Sequence, residues 1–311
     1  MGTAELESMS LDSKDREDGG CASAAATLPD LALLLVLEYV AAYNLDDVVS
    51  AGQVCRHWRR VASSSELWRH RSLRSHGLAT QAFTRVVTFA PRLRAMDVCW
   101  INQISPEDRA VRKAALLRSH CKLTCLTGVM CHRDSTWTHR LLALHGAHLK
   151  KLEVSTVDRQ ALQALGVMPR LRVLQVSGWD AELYEEPVVV FPPVREGGIG
   201  PGCLDALEVQ GLPRATTISM LKASRRTLRR LNLGVGTTGA HEKTHGNWPR
   251  TCNDLSQVLA DCCLEGLQEL ILYRFAGCYH TTSECIQQRS SLEQQFRFCL
   301  VTCSDCSPYT F

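Results

Sequence analysis

Sulfur is the most reactive element that this chain carries in quantity: fifteen of its 311 residues are cysteine. A thiol can serve as nucleophile, metal ligand or small apolar packing group, and its setting decides which. Cys55 lies in "VCRHWRRVASSSELW" (54–68), beside His57 and the cations Arg56, Arg59 and Arg60. No residue stands out as its base, so buried packing is the expected role. The densest sulfur group is C-terminal: Cys278, His280, Cys285, Cys299, Cys303 and Cys306. Cys303-x-x-Cys306 has the spacing of a zinc knuckle, yet no second C-x-x-C or H-x-x-x-H stands at a matching distance. The expectation is therefore no metal ligand and no cofactor, with 275–311 a Cys-rich tail that either caps the fold or is disordered. The odd cysteine count argues against a complete disulfide framework. A phosphate-binding loop, Gly-x-Ser-x-Gly and His-Glu-x-x-His are all missing. These readings predict a chain without a catalytic residue.

Charge and hydropathy narrow the classes further. Arg56, Arg59, Arg60, Arg69, Arg71 and Arg74 cluster as a nucleic-acid surface would. The whole chain is nearly balanced, however, with 35 Lys+Arg against 32 Asp+Glu and a net charge of +3. With no nucleic-acid motif around the cluster, that balance argues against a nucleic-acid partner. The most apolar run, "LALLLVL" (31–37), meets Glu38 well short of the roughly 20 residues that a membrane span needs. Residues 1–27 carry acids where a signal peptide needs cations, and they read as a disordered leader. The expected location is cytoplasmic, nuclear or both, with no membrane contact.

The elements that must hold these residues follow from periodicity. Thr27 and Pro29 suit a helix start, and Leu31, Leu34 and Leu35 continue it at helical spacing. "NLDDVVSAGQVC" gives a turn and a second short helix. Val54, Trp58, Val61 and Ala62 then fall at i, i+4, i+7 and i+8, one face of a further helix with the arginines turned away. From about residue 90 a pattern recurs, apolar-x-x-apolar-x-apolar. Copies start at 93, 149, 171, 204, 228 and 267, with a damaged one at 123 in which Gly128 replaces the last apolar residue. Helix-like stretches separate them, and a repeat of this length signals a solenoid. Insertions near 179–202 and 234–251 read as surface loops. Beyond about 274 no period is visible.

Residues 28–68 resemble an F-box: Leu28-Pro29 opening an aliphatic helix, Val54-Cys55 with Trp58, and Leu67-Trp68 at the end. With the repeats, 28 to about 274 resembles an F-box/leucine-rich-repeat protein. The resemblance implies an α/β chain: a helical F-box (28–72), then an irregular leucine-rich-repeat solenoid (85–274) of short parallel strands alternating with helices. It is irregular because the Asn or Cys that usually follows each strand is present only at Cys131; Ile101, Val157, Trp179, Leu212, Gly236 and Phe275 stand elsewhere.

Such proteins are substrate receptors of cullin–RING, SCF-type ubiquitin ligases. The resemblance implies that the F-box binds a Skp-type linker, through Leu28, Pro29, Leu31, Val54, Cys55, Trp58, Leu67 and Trp68, and through it the cullin. The repeats would hold an unknown protein substrate. Strand alternation sends the third and fifth motif residues to the concave face, so Asp97, Lys151, Glu153, Gln175, Glu208, Arg230 and Asn232 are the expected substrate contacts. An F-box scaffold acting outside a ligase, and a ligase with its own active cysteine, are the alternatives.

Overall fold

A computed structural model of the chain describes residues 28–178, 189–191, 203–237, 248–274 and 280–306. The expectations for 1–27, most of 179–202, 238–247, Trp179, Phe275 and Cys278 lie outside the described residues.

Among the described residues four helices come first: α1 (Asp30–Tyr43), α2 (Leu45–Ala51), α3 (Arg56–Ala62) and α4 (Ser65–Trp68). Pro29 precedes α1 with φ −57°, already near the helical value, and Asp30 places a carboxylate in the positive first turn. Asn44 stops α1 in an extended conformation, and its side chain accepts the Asp46 N–H at 3.0 Å, which starts α2. Leu33, Leu37 and Ala41 of α1 pack with Val48, Val49, Val61, Ala62, Leu67 and Trp68 in one core.

That core runs on without a break into the sheet. Strand β1 (Ser72–Arg74) leaves α4, α5 (Thr80–Phe89) returns, and β2 (Arg92–Asp97) pairs with β1 in parallel. Then follow α6 (Pro106–Arg118), β3 (Lys122–Met130), α7 (Ser135–His145), β4 (Lys151–Ser155), α8 (Arg159–Leu165) and β5 (Val173–Ser177). The last elements are β6 (Ala206–Gln210), α9 (Arg214–Ser224), β7 (Arg230–Gly234), α10 (Leu255–Ala260), β8 (Glu269–Tyr273), α11 (Thr282–Gln295) and β9 (Leu300–Cys303). Among the described residues these nine strands form one all-parallel sheet in sequence order, β1 to β9. Helices alternate with the strands, so the arrangement is an α/β solenoid-like stack behind a helical N-terminal region.

The recurring motif explains the stack. Its fourth residues lie in register as one ladder: Leu73, Met96, Leu126, Leu152, Leu174, Leu207, Leu231, Leu270 and Val301. All are buried, while the intervening strand positions stay half-buried or exposed. The helices therefore cover one face of the sheet only. Ile101, Cys131, Val157 and Leu212, where the repeat would carry Asn or Cys, are all buried. At three of these four positions an apolar side chain plugs the turn from inside.

Gly128 departs from the motif for a geometric reason. Its φ is +73°, and an added Cβ would lie 2.5 Å from both the N and the Cβ of Cys99. The β3–β4 register shifts between Leu126 and Val129, so Val129, one residue late, fills the core position opposite Val154. This is a bulge, and glycine permits both its backbone and its close approach.

Two expectations about extent need correction. The sheet begins with β1, which starts at Ser72, the last residue of the segment read as the helical module, and not near residue 85. The repeat also does not end at 274, since α11 and β9 add a further helix and strand. Val301 and Cys303 continue the ladder, but the preceding motif position is Phe298, which is almost fully exposed. The pattern was therefore too weak to read.

Candidate functional site

Helix α1 is apolar around most of its circumference. Leu33, Leu37 and Ala41 form the buried row. Leu31, Leu35, Tyr39 and Tyr43, offset by two residues, form a second row roughly 200° away. Their exposures are 70%, 58%, 68% and 76%, and the two tyrosine rings lie 5.0 Å apart. Val36 and Val54 are exposed too. An exposed apolar row opposite the buried one marks an interaction surface.

The geometry sorts the residues expected to touch a linker. Leu31 and Val54 are exposed, Pro29 is exposed, and Leu28, Cys55 and Trp58 are half-buried. Trp58 packs partly against the core. Val54 precedes α3 and does not share its buried face, which Val61 and Ala62 make. Leu67 and Trp68 are corrected to core residues. Both are buried, and the Trp68 indole N–H donates to the Ala62 carbonyl at 2.6 Å while its ring lies 6.2 Å from Phe89. A short helical module spends its largest side chains on its own core first. Leu35, Tyr39 and Tyr43 were not among the expected linker contacts, although their strict i, i+4 spacing in "LLVLEYVAAY" was a readable signal.

The arginines beside this surface are largely occupied. Arg60 donates to both oxygens of Asp30, at 2.8 and 3.0 Å, and Arg59 to the Gly52 carbonyl at 3.2 Å. Arg71 reaches the Glu38 carbonyl at 2.9 Å, and Arg69 is ion-paired with Glu66. Arg60 ties the first turn of α1 to α3, Arg71 ties the middle of α1 to the chain after α4, and Arg59 ties α3 to the end of α2.

Residues 25–74 match the F-box-like family model. This segment is an F-box-like domain. Among the curated proteins, no match to the chain was found. The match ends at Arg74, the last residue of β1, so the F-box-like domain includes the strand that opens the sheet. An F-box is a protein-interaction module, and the exposed row of α1 lies within this domain.

The second surface is the sheet face turned away from the helices. Its register places Glu153, Gln175, Glu208 and Asn232 side by side, and Lys151, Val173, Ala206, Arg230 and Glu269 in the neighbouring row. Asp97 lies in line with Thr127 at the β2–β3 end. All seven expected contacts therefore share this face. Arg230 is already ion-paired with Glu269, and Glu208 accepts from Gln175 at 3.2 Å and Gln210 at 2.8 Å. Partial burial pushes the Glu153 carboxyl above its ordinary pKa, and nearby Asp97 pushes it further. Burial raises Glu208 as well, with Glu153 adding to it. The face thus carries carboxylates that burden one another electrostatically. At its β1 end a cleft of about 440 Å³ opens between Arg74, Asp97, Trp100 and Thr127, with the His76 ring 4.7 Å from Trp100.

Several thiols are internal. Burial pushes Cys121, Cys131 and Cys252 up to about 12 and Cys262 to about 11, so these four are protonated packing groups near neutral pH. In the last repeat the fold does what spacing alone did not reveal. His280, Cys285, Cys303 and Cys306 converge with their ligand atoms all within 4.8 Å of one another. The sequence expectation of no metal-ligating set rested on the lack of a second close pair. The packing of α11 against β9 supplies that pair from residues about 20 positions upstream.

Proposed function

We propose that this chain is the substrate-recognition adaptor of an SCF-type cullin–RING ubiquitin ligase. The observation that carries the proposal is the F-box-like domain with an apolar row, Leu31, Leu35, Tyr39 and Tyr43, left uncovered on α1. F-box domains typically bind Skp-type linkers, and that row with Val54 is the surface such a linker would bury. The adaptor itself performs no chemistry. It holds a substrate near the thioester of a conjugating enzyme, and the acceleration comes from proximity. Cytoplasm and nucleus are the compartments where such a ligase would work.

The open sheet face is the substrate surface in this reading. An all-parallel stack presents one long face built from many strands, the geometry that solenoids use for extended partners. Carboxylates at Asp97, Glu153 and Glu208, two of them with raised pKa, favour a substrate segment that brings cations or hydrogen-bond donors. The test is purification of the full chain from cells under crosslinking, alongside a Glu153→Lys/Glu208→Lys variant. Wild type is expected to bring down a linker, a cullin and a set of further proteins. The variant is expected to keep linker and cullin and to lose most of that set. Recovery of linker without any cullin would overturn the ligase assignment in favour of a scaffold. An unchanged set in the variant would move the substrate surface elsewhere.

A further inference from the structure

The packing of the last repeat brings four ligands with zinc chemistry to one point. We propose that His280, Cys285, Cys303 and Cys306 bind a structural zinc ion that closes the C-terminal end of the solenoid. The four come from three segments: the position two residues ahead of α11, the first turn of α11, and the end of β9 with the turn that follows it. The His280 Nε2 lies 3.6 Å from the Cys303 Sγ and 3.2 Å from the Cys306 Sγ. Tetrahedral zinc, with Zn–S near 2.3 Å and Zn–N near 2.0 Å, holds such atoms about 3.5 Å apart. Cys285 and Cys303 are buried, and His280 and Cys306 are half-buried. Four protein ligands leave no open position, so the site is structural and not catalytic.

Arg274 gives an independent reason. Its guanidinium is buried, its Nε has no hydrogen-bond partner, and its Nη2 lies 3.6 Å from the Cys285 Sγ. Its remaining contacts are neutral: the Val235 carbonyl and the Gln288 side-chain oxygen at 2.8 Å. Among the described ion pairs, none gives it a carboxylate. A buried cation without a counter-charge is costly. Three thiolates and a neutral imidazole around a zinc dication carry one net negative charge, which Arg274 would balance. Cys303 also terminates the core ladder, in register with Leu272 of β8, so the metal would tie the outermost strand to its helix. Binding would release the thiol protons, and the metal's affinity would appear as stability of α11 and β9.

The test is elemental analysis of the full chain purified without chelator. A zinc content of about one per chain is expected. Cys303→Ser/Cys306→Ser should fall to background, while Cys263→Ser, at an exposed cysteine outside the cluster, should match wild type. Because the double variant can lose metal by misfolding, wild type is also exchanged with cobalt. The expected spectrum has the visible bands of a tetrahedral ion and a thiolate-to-cobalt charge-transfer band. Background zinc in wild type, zinc retained in the double variant, a Cys285–Cys303 disulfide in wild type, or an octahedral cobalt spectrum would each overturn the proposal.

Discussion

His145 shows how one side chain sets the response of this fold to acid. It ends α7 and is buried, and that burial, with His148 nearby, pushes its pKa from 6.5 down to about 4; the Leu116 and Cys121 backbone offsets part of the shift. Above pH 6.5 the ring is neutral in both folded and unfolded chains. As pH falls from 6.5 towards 4, the unfolded chain takes up a proton there that the folded chain refuses, so stability is lost. The expected loss is on the order of 3 kcal/mol across that window. His145→Leu should flatten the pH dependence between 6.5 and 4, read from thermal melts; a slope equal to wild type would contradict this. Nothing in "LLALHGAH" announced the burial, because a histidine at a helix end is as readily solvated. Only the packing of α6 and β3 around it decides. Cys55 was expected in a buried packing role, whereas the fold leaves it half-buried just ahead of α3.

At the scale of the element, strand β3 carries the most specific constraint. Gly128→Val puts a branched side chain at φ +73° and drives its Cβ into Cys99. The left-handed backbone costs about 1–2 kcal/mol and the overlap a further 1–3 kcal/mol. A fall of several degrees in melting temperature is expected, whereas an unchanged melt would mean that β3 reaches Val129 without the bulge. The sequence marked this position as a defect in the motif without revealing that the defect is a bulge in the strand. Other strands were legible because the fourth and sixth motif residues are both apolar and both buried. β1 and β9 were not, since His70 and Phe298 stand where the ladder's first residue should be packed. In α1 the periodicity gave the helix but not its two-sidedness. A pattern of apolar residues does not say which row the rest of the chain will cover. Trp68 makes the same point in reverse: its size marked it as an anchor, and the anchor proved to be internal.

The whole molecule joins two surfaces through one core. Leu73 belongs to the F-box-like match and is also the first rung of the ladder that ends at Val301. Arg112 of α6 reinforces the joint: its guanidinium is buried over the Phe83 ring and donates to the Ser75 and Leu78 carbonyls and to the Thr80 hydroxyl. A linker bound at α1 and a substrate bound on the sheet would be held in fixed relation by this continuity, as a transfer that depends on proximity requires. The division into helical module and repeats was legible; their fusion was not, because it rests on a three-residue strand and a single buried arginine. Linker binding rests on the outer row of α1. Calorimetric titration of a purified Skp-type linker into the full chain tests it most directly, with wild type compared to Leu35→Asp/Val54→Asp, two positions exposed enough to change without disturbing the core. Tight binding by wild type and at least about a hundredfold weaker binding by the variant, roughly 3 kcal/mol, at an unaltered melting temperature, is the predicted result. Equal affinity in both, or no binding by wild type, would contradict it.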